Sequence, residues 1–217
     1  MEEHNTTEEI LNAVTHGIGV LLSIAGLVAM LHSVSARQAG REALAAALLY
    51  GISLIVLYLM STLYHCFFKL PKASHLFKIF DHAAIYLLIA GTDTPVLLIL
   101  LRRHHGPEGT AVIWLLALIG IIWQCFNVHK YKKLSTVAYI VMGWLLVGAL
   151  PLIWVYVSPA AVFWLLSGGL IYTVGTFFYL RKTMPYHHLI WHFFVLGGSM
   201  AHFYSIYYYL LPASPLP

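Results

Sequence analysis

The chain has 217 residues, of which 60% are hydrophobic and only 9% charged. A soluble domain carries about 25% charged residues, so this composition excludes a soluble globular protein and indicates an integral membrane protein. The net charge of +4 does not call for nucleic acid, because Lys and Arg in a membrane protein mark its cytoplasmic loops.

The first segment, Met1-Glu-Glu-His-Asn-Thr-Thr-Glu-Glu9, is acidic where a signal peptide is basic. The first apolar run ends near Ser33-Val-Ser-Ala36, a weak likeness to a cleavage site, and is read as a retained helix. Apolar runs of membrane-spanning length, about 20 residues, fall at 13–34, 43–67, 79–101, 110–128, 134–157, 160–180 and 187–210. The expectation is an all-α bundle of seven transmembrane helices, a single domain over 1–217. The loops are short and charged, as in Arg102-Arg-His-His-Gly-Pro107 and His129-Lys-Tyr-Lys-Lys133, so neighbouring helices run antiparallel. Pro95 and Pro151 fall inside predicted helices and should kink them. Gly168-Gly169 and Gly197-Gly198 should let helices approach closely. The cysteines Cys66 and Cys125 lie near helix ends expected on the cytoplasmic side and should be free thiols.

Charge sets the orientation. The N-terminus and alternate loops share one side with Lys69, Lys72, Lys78, Lys130, Lys132, Lys133, Arg181 and Lys182. The other side holds only Arg37, Arg41, Arg102 and Arg103. This bias puts the N-terminus in the cytoplasm and the C-terminus outside.

The 13 histidines outnumber the 8 acids, and their placement is informative. His188-Leu-Ile-Trp-His192 puts two imidazoles four residues apart, about 40° around a helix and on one face. The spacing alone also suits histidines at the lipid headgroup level. The topology adds His65 at the end of helix 2 and Asp81 at the start of helix 3, on the same side and at the same depth. Three histidines with an open fourth position form a zinc-ligand pattern. Asp81 could ligate, orient a histidine, or act on a water as acid or base. Ser61 lies one turn from His65 on the same face and could hydrogen-bond that water or a substrate oxygen. Asn12 and His16, four apart on helix 1, suit packing or a supporting role.

Four stretches together resemble the hemolysin III family, bacterial members of the progestin and adipoQ receptor group. They are Asn12-Ala-Val-Thr-His-Gly-Ile-Gly19, Ser61-Thr-Leu-Tyr-His65, Asp81-His-Ala-Ala-Ile-Tyr-Leu-Leu-Ile-Ala-Gly-Thr92 and Pro185-Tyr-His-His-Leu-Ile-Trp-His192. The resemblance spans about residues 8–211. It implies seven helices, a cytoplasmic N-terminus and zinc held by His65, His188 and His192, with Asp81 and Ser61 beside the metal or its water. It also implies a multi-pass protein of the bacterial inner membrane. The family pattern places an aromatic residue where this chain has Asp93. An intramembrane carboxylate is costly unless paired. Asp93 lies about 18 Å along helix 3 from Asp81, and His202 about 15 Å along helix 7 from His192, so Asp93 could pair with His202; the alternative is a protonated Asp93 or one that faces a water cavity.

Two functions follow as expectations. One is a zinc-dependent hydrolase acting on a membrane lipid, an amide bond being favoured by the family's similarity to alkaline ceramidases. The other is a non-enzymatic sensor, regulator or pore with a structural zinc. The expected partner is membrane lipid, with no nucleic acid and no obligate protein partner.

Overall fold

The computed structural model describes residues 6–212. Seven helices are long and apolar enough to cross a membrane: α1 Thr6–Arg37, α2 Gly40–Cys66, α3 Pro71–Leu100, α4 Gly106–Asn127, α5 Lys132–Tyr156, α6 Pro159–Leu180 and α7 His187–Leu210. All seven coincide with the apolar runs. Helices α1 and α3 start about two turns earlier than hydropathy alone indicates, because their polar first turns are helical outside the apolar window. In α1 those turns carry Glu8 and Glu9, favourable beside the positive end of the helix dipole. In α3, Pro71 occupies the first turn, where its missing N–H costs nothing.

The two internal prolines act differently. After Pro95 the chain continues as a π-helical turn, Val96–Leu100, with Leu101 N–H reaching back to Val96 O at 3.0 Å. Trp114 Nε1 donates to Thr94 Oγ1 at 3.0 Å and pins this turn to α4. Pro151 sits in the first turn of Leu150–Tyr156, after a 3₁₀ stretch at Leu145–Ala149. Proline cannot supply the N–H that continues an α-helix, so α5 is broken there. On α6, Ser158 caps the helix, accepting from Ala161 N–H at 3.3 Å, and Pro159 follows.

The bundle is apolar on its outer surface as well as in its core. Phe126, Val155 and Leu21 are 80%, 73% and 69% exposed, an apolar outer surface suited to lipid. The interior is filled by Met30, Tyr50, Tyr58, Ile206 and Leu210. Helix α2 packs between α1 and α3, α3 also meets α4, α6 packs along α7, and α7 returns to α1. Close approach of α6 and α7 uses glycine. A Cβ on Gly175 would lie 2.6 Å from Phe194 Cβ, and one on Gly198 would lie 2.7 Å from the Tyr172 ring. In each glycine pair one member serves this packing: Gly168, where a Cβ would meet the His202 ring, and Gly198. Both cysteines are free and exposed. The end of the bundle that gathers Thr6, Cys66, Pro71, Lys132 and His187 is called the lysine-rich end below.

Candidate metal centre

Three imidazoles converge at the lysine-rich end. His65 comes from the last turn of α2, and His188 and His192 from the first two turns of α7. Their ring centroids stand 5.0 Å (His65–His188), 5.0 Å (His65–His192) and 4.8 Å (His188–His192) apart. One nitrogen from each falls in a group whose members all lie within 4.8 Å of one another, close enough to hold a metal ion.

The surroundings fix which nitrogens face the centre. His65 Nδ1–H donates to Glu9 Oε2 at 2.6 Å, leaving Nε2, a buried atom with no hydrogen-bond partner. The Thr15 hydroxyl donates to Leu11 O and Asn12 O, both at 2.9 Å. Its oxygen therefore accepts from His192 Nδ1–H at 3.2 Å, and the His192 lone pair is on Nε2. Two of the three rings are thus held in the tautomer a cation requires. A buried lone pair with no donor facing it fits a metal better than it fits an apolar interior. His16 stacks on His192, with centroids 3.5 Å apart and planes 7° from parallel, and Tyr58 meets the His16 ring edge-on at 5.0 Å. Helix α1 therefore braces both ligand-bearing helices.

Asp81 lies across a small cavity of about 50 Å³ that is also lined by Ser61, His16, His188 and His192 and is closed by Leu57, Ile85, Leu88, Trp191 and Val195. It stands outside the three-nitrogen group and is 3.2 Å from His82 Nδ1. His82 Nδ1–H also reaches Lys78 O at 2.9 Å, and His82 Nε2 accepts from the Tyr179 hydroxyl at 3.0 Å. Tyr179 is in turn held by Lys132, whose Nζ donates to Tyr179 O at 3.1 Å and lies 3.6 Å above its ring. On its outer side the cluster meets a wide cleft of about 910 Å³. His82, Tyr179 and His188 line both spaces, so the histidine layer separates a wide polar cleft from a small cavity of mixed lining.

The structure brings together His65, His188, His192, Ser61 and Asp81, which the sequence puts at one depth, and sets His16 beside them. It does not form the Asp93–His202 pair. His202 Nε2 donates to Leu165 O at 3.0 Å on α6, and Asp93 Oδ2 is buried without a partner. The reason is lateral: α3 packs on α2 and α4, whereas α7 packs on α6 and α1, so equal depth does not make the two side chains neighbours. Glu9, Thr15, His82 and Tyr179 were not singled out by sequence reasoning. A signal existed for the first helix. Glu9, Asn12, His16, Gly19 and Ser23 follow a three-four spacing, and Asn12, His16, Gly19 and Ser23 are buried on one face of α1.

Comparison with known proteins agrees with this architecture. The family profile described as Haemolysin-III related matches residues 4–203. The chain is 46% identical over 207 residues to Hemolysin-3 of Bacillus cereus, covering 95% of this chain and 94% of that protein. It is 45% identical to the Hemolysin-3 homolog of Bacillus subtilis (strain 168), covering 93% and 94%. It is 30% identical to the human monocyte to macrophage differentiation factor, covering 94% and 84%. With the seven apolar helices, these matches make the chain a multi-pass membrane protein that belongs to the hemolysin III family.

Proposed function

We propose that His65, His188 and His192 bind one zinc ion and that the protein is a zinc-dependent hydrolase of a membrane lipid, with an amide bond as the favoured target. The observation that carries the reading is the unpartnered, buried Nε2 of His65 facing two further imidazoles while Glu9 holds its other nitrogen. A carboxylate–histidine pair of this kind orients a metal ligand and raises its basicity. Three neutral ligands suit zinc in a catalytic setting. When bound, zinc supplies Lewis acidity toward a water and a carbonyl oxygen.

The chain's own residues supply the rest. Asp81 faces the cavity, held beside His82, and takes a proton from the attacking water and returns it to the leaving nitrogen. Ser61 hydrogen-bonds the substrate's oxygen. Leu57, Ile85, Leu88, Trp191 and Val195 keep bulk water from the reacting bond and accept apolar substrate. The lysine-rich end faces the cytoplasm in this reading, and the membrane is the bacterial inner membrane.

One observation favours a second reading, in which zinc only ties helices together. The three ligands come from α2 and α7, which meet largely through long side chains such as Tyr58, whose hydroxyl donates to Ser199 Oγ at 2.7 Å. A metal there would staple the two. The tightly filled interior argues against a pore, although two relatives carry hemolysin names.

Purified protein should contain zinc in a one-to-one ratio, lost in His192→Ala. Zinc in neither would end the metal reading. Incubated with lipid extract, the wild type should release fatty acid and Asp81→Ala should not, while keeping its zinc. Equal release, or none from either, would leave the structural role.

A further inference from the structure

The outer cleft has a chemistry that the metal centre does not use. Four lysines line it from three separate segments: Lys78 on α3, Lys132 and Lys133 at the start of α5, and Lys182 in the α6–α7 loop. Lys78 and Lys132 are only partly exposed. Two acids, Glu8 and Glu9, line the same cleft, and Glu9 Oε2 accepts from His65. Among the described residues, Lys78 and Lys133 form no ion pair. The first turns of α5 and α7 also open here, at Lys132, Lys133, His187 and His188, and neither helix has a side-chain N-cap. The positive ends of these two helix dipoles add to the potential of the ammonium groups. The cleft is therefore a concave site with excess positive charge, and it borders apolar Leu180 and Met184.

From this geometry we infer that the cleft binds a phosphate group, in the headgroup of an anionic phospholipid or as the free anion. Lysine is a point-charge phosphate binder, and lysines at a membrane surface attract anionic headgroups. A scattered excess of lysine on this side would follow from topology alone. The cleft differs in that its four lysines face one space, and Lys69 and Lys72, at the same end of the bundle, do not line it. The site stands independently of the hydrolase reading. If that reading also holds, the headgroup in the cleft would place the lipid's next bonds beside His188.

The test uses the full chain in a neutral detergent. Dioctanoyl phosphatidic acid, dioctanoyl phosphatidylcholine and inorganic phosphate are each titrated, and binding is read by native mass spectrometry and by the thermal unfolding midpoint. Phosphatidic acid should bind saturably at one-to-one stoichiometry, with phosphatidylcholine roughly tenfold weaker. The double variant Lys78→Gln/Lys133→Gln should lose roughly tenfold in affinity. The control Lys69→Gln/Lys72→Gln should bind as the wild type does. Competition by inorganic phosphate would support the site with the free anion as a ligand, and failure to compete would support it with lipid as the source. Equal weakening in both double variants would show diffuse attraction and overturn the inference, as would no binding at all. His192→Ala separates this site from the metal centre: retained binding supports the cleft, and lost binding would assign the phosphate to the metal instead.

Discussion

At the residue scale, the centre depends on a side chain far from it in sequence. Glu9 reaches His65 from the first turn of α1, 56 residues away. The histidines themselves were legible, because an imidazole pair at helical spacing in an apolar segment stands out. Glu9 was not, because an acid near an N-terminus reads first as a dipole-compensating or solvated charge. Its buried stripe partners Asn12 and His16 carried the hint that this face of α1 turns inward. If zinc is bound as proposed, Glu9→Ala should weaken its affinity about 10–100-fold, measured by competition with a chelator of known affinity. Thr15→Val should have a smaller effect in the same direction, since the 3.2 Å bond to His192 is neutral and longer. An unchanged affinity in Glu9→Ala would mean that the bond orients nothing of consequence.

At the element scale, the hydropathy pattern marks every span because hydrocarbon must be crossed by internally bonded helix. What it misses are features decided by lateral packing. The π turn after Pro95 and the break before Pro151 follow from missing N–H groups, and proline announces both. The neighbour relations of α3 and α7 leave no such mark, which is why depth alone mispaired Asp93 with His202. Glycine did announce the α6–α7 contact. Membrane helices gain little hydrophobic energy by pairing and rely on close packing, so filling such a contact is costly. Gly175→Val should destabilise the folded protein by about 1–3 kcal/mol, since a Cβ already meets Phe194 at 2.6 Å. The same change at Gly143, where a Cβ meets nothing within 4 Å, should cost less. Unfolding of both variants in a graded detergent series compares them directly; equal stability would remove the packing role assigned to Gly175.

At the scale of the whole molecule, seven crossings put Thr6 and Leu210 at opposite ends, and the histidine cluster, the lysine-lined cleft and both cysteines share one of them. Which compartment that end faces is decided by charge rather than by packing. Eight of the twelve Lys and Arg side chains fall there, counted from the sequence, so the positive-inside rule predicts that this end faces the cytoplasm. Arg37 and Arg41 on the opposite side oppose that bias, so the orientation is a prediction worth an independent measurement. Cys66 ends α2 and Cys125 lies in the last turn of α4, and both are free and exposed. In intact cells a membrane-impermeant maleimide should label neither, and after permeabilisation it should label the protein. An Arg103→Cys variant, with its new thiol in the loop between α3 and α4 at the opposite end, should react before permeabilisation. The reverse pattern would place the histidine cluster outside the cell. Any lipid chemistry there would then act on the outer leaflet, and the lysine cleft would face the headgroups of that leaflet.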